Sequence, residues 1–252
     1  MAHPPARGGG GMPVPQAMAK AWRPYDRAGS AADLGGVSVY WHDNVTKEPG
    51  IGGELMSSTL VSGAPDDVIA ALTHPCSPTG LLGPAQQSCV LREGDGWQDL
   101  FILLQPAPSS AAALLCAPRA AVVRLERQQR PDGIHLLSFS SLPAHEAARL
   151  LSRRAGRAGG GAWGLALAEV SGGYSVAGLD GSGRQEGCGG ECMLTGIFRV
   201  DLGGWLAGCR PSGAGGRGLG GLRAAVAAGF VEPMLAAVPL AKKEVETGRV
   251  LV

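Results

Sequence analysis

The residues whose chemistry would be most informative are the six cysteines and five histidines, because they form most metal and nucleophile sites in proteins. Cys188 and Cys192 are the closest pair of thiols and enclose the residues Gly-Gly-Glu. A closed zinc site needs four ligands, and the sequence contains no second pair of cysteines at a similar spacing. The pattern therefore predicts neither a metal site nor another cofactor.

Catalysis by an acid, a base or a nucleophile would need two such side chains that lie together. His74 stands two residues before Cys76, but no turn typical of an oxyanion site follows them. Glu126 and His135 belong to neighbouring predicted strands and form the one pair that we can place near a shared interior. They support an alternative hypothesis, in which the protein is an enzyme that acts on an apolar substrate held in a cavity.

The charge of the chain argues against a nucleic-acid-binding protein. The formal net charge is +1, whereas affinity for nucleic acid depends on a concentrated basic surface. The basic cluster in residues 149–157 is typical of a solvated helix face. The glycine-rich stretch 215–221 lacks the Gly-Lys-Ser/Thr ending of a phosphate-binding loop. We therefore expect no nucleic-acid partner.

Glycine and proline account for 41 and 18 residues, and their distribution divides the chain. Residues 1–36 are rich in Gly, Pro and Ala, which predicts a disordered lead-in. Residues 37–246 alternate between periodic segments and glycine clusters, which predicts one domain with insertions near 144–160 and 181–190.

Cysteine usage and the composition of the N-terminal region bear on the compartment. The spacing of the cysteines does not indicate a set of disulfides. The sequence also has neither the apolar core of a signal peptide nor a run of about 18 apolar residues that could span a membrane. We expect an intracellular, cytoplasmic protein. The acidic-poor residues 1–36 are also compatible with an organellar targeting segment.

The elements that must position any site centre on a strand that is followed by a long helix. Residues 194–202 alternate between apolar and polar side chains, as a half-buried strand does. Farther on, apolar residues recur every three or four positions and so share one side of a helix; they are Leu219, Leu222, Val226, Phe230, Met234 and Val238. Pro233 is predicted to kink this helix, because it cannot donate a hydrogen bond to the carbonyl of Gly229.

About eight short strands are predicted between residues 37 and 202, and their short connections favour antiparallel pairing. Two of them, residues 163–170 and 174–179, are separated by a predicted turn. A short helix is expected to begin near Pro65, and another covers residues 144–157. The pattern indicates an α+β fold, in which a curved antiparallel sheet wraps around the long C-terminal helix and leaves an internal cavity.

Four segments also match known motifs in the expected order, and the first, residues 54–58 followed by 66–72, matches a strand and a short helix. Residues 200–206 read Val-Asp-Leu-Gly-Gly-Trp-Leu, residues 117–120 read Ala-Pro-Arg-Ala, and residues 162–179 form an apolar segment interrupted by Ser-Gly-Gly. Together they resemble START domains, the steroidogenic-acute-regulatory-related lipid-transfer modules, which have a helix-grip fold. Over residues 37–245 the order is most similar to the START domain of plant-type proteins that resemble enhanced-disease-resistance proteins.

This resemblance draws attention to Arg124. Some sterol-binding members of the family carry a buried acid on the preceding strand that pairs with the corresponding arginine, but residues 100–105 contain no acid. Ala117 and Ala120 replace the family's Trp and Asp, and the strand is one residue shorter before Arg124. Because a buried unpaired guanidinium is costly, we expect Arg124 to face solvent, water or a ligand headgroup.

The function that the resemblance implies is non-catalytic binding of a sterol or phospholipid, with transfer of that lipid between membranes. The expected partners are the lipid and, transiently, a membrane surface. The lipid-binding residues would be Arg124, Leu222, Val226, Phe230 and Met234. Leu114 and Leu115 would lie in an apolar loop at the cavity mouth. A further alternative is a degenerate START-like module that is used for protein contacts.

Overall fold

The computed structural model shows one antiparallel sheet together with helices. The residues that it describes are 22–24, 36–42, 54–73, 81–83, 86–108, 110–158, 166–179, 190–203, 226, 229–230 and 233–248. Within them, the alternation of buried and exposed side chains along each long strand follows the period of two that the sequence shows. The predicted α+β fold is confirmed.

In the described part of the chain, nine strands form the sheet. They are β1 (Trp22–Pro24), β2 (Ser38–His42), β3 (Glu54–Ser62), β4 (Gln86–Gly94), β5 (Trp97–Leu104), β6 (Arg119–Gln129), β7 (His135–Ser141), β8 (Glu169–Gly178) and β9 (Glu191–Asp201). Their order is β1-β2-β3-β9-β8-β7-β6-β5-β4, and every neighbouring pair is antiparallel. Strand β1 lies inside the predicted lead-in, so three residues of that segment pair with the sheet. The domain boundary at residue 37 stays a prediction.

Four helices can be given bounds. They are α1 (Pro65–Thr73), α2 (Ala111–Leu115), α3 (Ala144–Ala158) and α4 (Ala237–Glu246). Residues 226, 229–230 and 233–235 are helical as well. Helix α1 begins at a proline and carries Asp66 and Asp67 in its first turn, where a fixed φ and negative charge are both favourable. None of the helices in the described part of the chain is long and apolar enough to cross a membrane.

The sheet has two faces with different partners. On one side, here called the inner face, side chains of most strands join a single core cluster with the helical residues near the C-terminus and with α1 and α4. Leu55, Ile102, Val123, Leu137 and Phe198 represent five of these strands. Helix α4 packs against β3, β9 and α1. The sheet therefore holds the C-terminal helical segment against its inner face, as predicted.

The opposite side of the sheet, here called the outer face, is partly covered by α3. Ala147 of this helix forms a second buried cluster with Phe101, Ala120 and Val122, and Leu150 and Leu151 pack at its edge. Neighbouring residues of β6 therefore belong to different layers, since Ala120 and Val122 face α3 whereas Ala121 and Val123 face the core cluster. This alternation decides where each charged residue of β6 lies.

The predicted turn between two strands at residues 171–173 is wrong. Strand β8 runs without interruption through Gly172 and Gly173, and both glycines pair with β7 and with β9. Gly172 has a φ of +153°, and a Cβ atom at this residue would lie 2.0 Å from the carbonyl oxygen of Ile197. The two glycines therefore allow a close approach of strands inside the sheet, where the sequence alone suggested a reversal of the chain.

The C-terminal helical segment is interrupted at a position that a proline explains. Residues 233–235 and α4 are both helical, but Ala236 between them is a turn. The ring of Pro239 would meet the carbonyl of Leu235 in a continuous helix. In the structure Pro239 lies in the first turn of α4, where its missing N–H is not needed. The predicted kink at Pro233 involves neighbouring residues outside the described part.

Candidate functional site

Three apolar residues of the helical segment face the inner side of the sheet. Val226, Phe230 and Met234 are all buried and belong to the main core cluster. Their spacing of four residues places them along one side of a helix, as the sequence predicted. Leu222, the fourth helical residue proposed for this site, lies outside the described residues. The structure thus brings together three of the predicted lining residues, and the predicted internal cavity beside them stays a prediction.

Three aromatic rings of the inner face, those of Phe139, Tyr174 and Phe198, belong to the same core cluster as this row. The ring of Phe198 lies 6.1 Å from that of Phe139 and 5.3 Å from that of Tyr174, measured between centroids. Gly196 leaves room for them, because a Cβ atom there would lie 2.9 Å from the Phe198 ring. The Tyr174 hydroxyl donates a hydrogen bond to the carbonyl of Leu81, and burial raises the pKa of Tyr174. This surface is therefore apolar, and its phenol is satisfied and neutral.

The loop between β5 and β6 contacts the helical segment directly. The backbone N–H of Ala107 donates a hydrogen bond of 2.8 Å to the carbonyl of Gly229. Pro233 cannot use that carbonyl, so the loop takes the place of the missing helical donor. A Cβ atom at Gly229 would lie 2.5 Å from the Ser110 Oγ atom and 2.8 Å from the Ala112 Cβ atom. The loop and the helix therefore touch where glycine leaves the backbone bare.

The same loop exposes two large apolar side chains. Leu114 is 89% exposed and Leu115 is 52% exposed, and both lie in the short helix α2. Ala112 of the same helix is fully buried. The loop is thus anchored on its inner side and apolar on its solvent side.

Arg124 has a different environment from the one expected. It lies on the outer face, opposite Asp99 of β5 in the strand register, and its Nε atom donates a 2.9 Å hydrogen bond to Asp99 Oδ1. Its guanidinium stacks over the Trp97 ring at 4.7 Å from the centroid. The structure therefore does not bring Arg124 together with the helical residues, and Asp99, one residue before the segment 100–105, is the acid that pairs with it.

Asp99 is the centre of a charged network that joins α3 to the sheet. Arg92 also donates to Asp99 and, through a second nitrogen, to Glu146 of α3. Burial raises the pKa of Asp99, but hydrogen bonds from Arg124 and Arg92 outweigh it, so the pKa lies below its usual value. The same bonds raise the pKa of both arginines. The network therefore stays charged at neutral pH, and its role is structural, because it joins α3 to the sheet.

We expect the substitution Asp99→Asn to lower the free energy of unfolding by about 2 kcal/mol at neutral pH. The side chain of Asp99 is fully buried, but both arginines keep contact with water, which places the loss below that of a wholly buried pair. Because folding lowers the pKa of Asp99, its contribution is present above about pH 4 and lost as the pH falls through the folded-state value. Urea unfolding at several pH values measures this; a difference that persists in strong acid would contradict it.

The acid–base pair considered for an enzyme is not assembled. His135 is buried on the inner face, whereas Glu126 is exposed and shares the outer face with Arg124. The ring of His135 contacts Gln129, at 3.2 Å between nitrogen atoms, and lies 3.7 Å from a carboxylate oxygen of Asp66. Glu126 and His135 therefore occupy opposite sides of the sheet, and nothing in their geometry favours the enzyme hypothesis.

The two cysteines considered for a metal site, Cys188 and Cys192, are not shown to form one. Cys188 lies outside the described residues, and Cys192 is a buried free thiol. Burial, with a smaller contribution from Asp67, raises the pKa of Cys192 to about 11, so this thiol is neutral at ordinary pH. In the described part of the chain, no group of three or more His, Cys, Asp or Glu side chains is arranged to hold a metal ion.

Comparison with known proteins gives matches in structure alone. No protein-family model matches the chain, and no curated protein sequence does. Human StAR-related lipid transfer protein 5 superposes with a TM-score of 0.59 and 16% identity, with 93% of each chain covered.

Two further solved structures give similar values. The human StarD13 (DLC2) lipid transfer and protein localization domain has a TM-score of 0.55 and 17% identity, over 91% of this chain and 93% of its own. A STAR-related lipid transfer protein from Xanthomonas axonopodis has a TM-score of 0.51 and 14% identity, over 91% and 98%. These matches identify the fold; the finer similarity to plant-type proteins stays a prediction.

Proposed function

Because this chain has the helix-grip fold of START domains, we propose that it binds a lipid between the inner face of the sheet and the C-terminal helical segment, without catalysis. The observation that carries the proposal is the row Val226, Phe230 and Met234, which shares one apolar cluster with the inner face of the sheet, beside a loop that exposes two leucines. The solved structures with this fold named above carry lipid transfer in their names, and this supports the same class of ligand here.

The physical task of such a domain is to replace water around an apolar chain. Moving a lipid of about 25 carbons through water costs on the order of 20 kcal/mol, at about 0.8 kcal/mol per methylene group. An apolar surface that encloses the lipid removes most of this cost, and an opening must then let the lipid pass. Apolar side chains suffice for this function, so an acid–base pair is not required.

The opening is proposed at the contact between the β5–β6 loop and the helix. One hydrogen bond, from Ala107 to Gly229, and the packing around Gly229 are the described links at this place. Pro233 weakens the helix at the same step, since it leaves the Gly229 carbonyl without a helical donor. A contact of this kind can open at a small cost, because a net hydrogen bond is worth about 1 kcal/mol.

Native mass spectrometry of the purified protein, before and after incubation with mixed-lipid vesicles, tests the proposed function. We expect a stoichiometric lipid adduct that organic extraction removes. A protein that carries no lipid in either sample would contradict the proposal and would favour the module for protein contacts. A chemically altered lipid that accumulates with time would favour the enzyme hypothesis instead.

The substitution Gly229→Ala is expected to speed the release of bound lipid by about tenfold. The added methyl group would overlap Ser110 and Ala112, and overpacking of this kind costs about 1–3 kcal/mol. Alanine recovers up to about 1 kcal/mol of helix propensity, so the global stability should change little while the loop is displaced. Dilution of a fluorescent lipid complex into acceptor vesicles measures the release rate.

A second variant, Pro233→Ala, is expected to open the same contact between the β5–β6 loop and the helix by another route. Alanine at 233 regains an N–H that competes with Ala107 for the Gly229 carbonyl, without adding a side chain at the contact. We expect faster release in this variant too, together with a more stable helix. Unchanged release in both variants would show that the opening lies elsewhere.

A further inference from the structure

A buried arginine on the inner face is not explained by the fold. Arg119 is the first residue of β6 and is only 7% exposed. It pairs with Leu104, a residue of the main core cluster, and shares its side of the strand with Ala121 and Val123. Arg119 therefore faces the helical segment and the proposed lipid, whereas Arg124 faces outward.

The guanidinium of Arg119 is poorly satisfied. It has five N–H donors, yet its one hydrogen bond to a described residue is a long contact of 3.5 Å from Nη1 to the carbonyl of Ala117. Among the described residues, its buried Nε atom has no hydrogen-bond partner, and no carboxylate forms an ion pair with it. The contrast with other arginines is clear, because an acid pairs with each of Arg92, Arg124, Arg127 and Arg130.

A nearby thiol does not supply the missing negative charge. Cys116 is close enough for the positive charge of Arg119 to act on its pKa, but burial has the larger effect and raises that pKa. The thiol is therefore protonated and neutral at ordinary pH. An arginine cannot lose its proton in a protein, and an isolated buried charge is strongly unfavourable. Arg119 thus requires an anion that the described residues of the chain do not provide.

We propose that Arg119 binds an anionic oxygen of the lipid, either a phosphate or a carboxylate oxygen. This inference rests on the proposed function and narrows its ligand to lipids with an oxyanion, such as phospholipids or fatty acids, in preference to sterols. A guanidinium suits either group, because its planar fork donates two parallel hydrogen bonds to an oxyanion. A sterol hydroxyl carries no charge and would leave the buried guanidinium without a counter-ion.

The test compares wild-type protein with Arg119→Met, which keeps an apolar stem of similar length. Each delipidated protein is incubated with vesicles that contain phosphatidic acid, phosphatidylcholine, oleic acid and cholesterol, and the bound lipids are identified by mass spectrometry. Wild type is expected to favour the three oxyanion lipids. Arg119→Met should bind them at least about tenfold less well, because charge-assisted hydrogen bonds are lost, while cholesterol uptake stays unchanged.

Thermal unfolding of the lipid-free proteins separates a ligand-binding role from a structural one. Removal of an unpaired buried charge is expected to leave the lipid-free Arg119→Met variant as stable as wild type or to raise its Tm. A large fall in Tm would mean that Arg119 stabilises the fold and would overturn the proposal. Arg119→Lys keeps the charge without the fork and should retain part of the preference for oxyanion lipids.

Arg199→Met is the matched control. Arg199 lies opposite Ser171 and Glu54 in the strand register and is on the outer face, away from the proposed lipid. It should leave the lipid selection unchanged. Wild-type protein that takes up no lipid of any class would contradict the proposed function. Normal uptake with the same selection in Arg119→Met would contradict the role of Arg119 alone.

Inorganic phosphate separates a lipid headgroup from a free anion as the occupant. We expect millimolar phosphate not to change the Tm of delipidated wild-type protein, because the apolar part of the ligand supplies most of the binding free energy. A phosphate-dependent rise in Tm that Arg119→Met abolishes would place a free anion at Arg119 and would overturn the assignment to a lipid.

Discussion

Replacement of Gly172 by alanine is expected to lower the free energy of unfolding by about 3–4 kcal/mol. The φ of +153° is unfavourable for a residue with a side chain, at a cost of about 1–3 kcal/mol. The new methyl group would also lie 2.0 Å from the Ile197 carbonyl oxygen, and that atom belongs to the neighbouring strand and cannot rotate away. Alanine recovers less than about 1 kcal/mol by restricting the unfolded chain.

Gly190→Ala is the control for Gly172→Ala, because nothing lies within 4 Å of a Cβ atom at Gly190 and its φ is not positive. Denaturant titration of both variants beside wild type measures the difference. A midpoint for Gly172→Ala within error of that for Gly190→Ala would show that β7, β8 and β9 do not approach as closely as described.

Most strands of this fold are predictable from the sequence, but β1, which lies in the predicted lead-in, and the course of β8 are not. Alternating apolar side chains indicate β3, β7 and β9, because a half-buried strand imposes that pattern. Ser-Gly-Gly at 171–173 has the composition of a turn, and local composition does not distinguish a reversal from a bend. The decisive fact is that both glycines pair with two strands at once, and those partners are remote in the sequence.

The charged residues of β6 show how a spacing of one residue changes a site. Arg119 and Arg124 are five residues apart, an odd number, so they point to opposite faces of a regular strand. The resemblance predicts Arg124 as a lipid-binding residue, although the strand before Arg124 is one residue shorter in this chain than in the family. The acid that pairs with Arg124 is Asp99, one residue before the segment 100–105 in which the resemblance predicts it. The odd spacing of the two arginines and the position of Asp99 can both be read from the sequence. Only the strand register shows which arginine faces inward and which one Asp99 pairs with.

Replacement of both Leu114 and Leu115 by aspartate is expected to slow lipid transfer between vesicles by about a hundredfold. Both leucines are exposed on a loop that also contacts the helix at Gly229, so we propose that they enter the membrane when the contact opens. Burial of one exposed leucine and one half-exposed leucine is worth about 2–4 kcal/mol, which corresponds to roughly two orders of magnitude in an equilibrium constant. A fluorescence transfer assay with donor and acceptor vesicles measures the rate.

The fold and the lipid occupancy should survive this double substitution, because neither side chain belongs to the core clusters. Leu60→Asp with Leu179→Asp is the matched control, since both leucines are also exposed, at 44% and 45%, but lie on β3 and at the end of β8. The control should transfer lipid at the wild-type rate. If the two double variants are slowed equally, the effect is one of surface charge. If the loop variant transfers lipid as fast as wild type, the loop is not the membrane contact, and lipid must leave by another part of the surface.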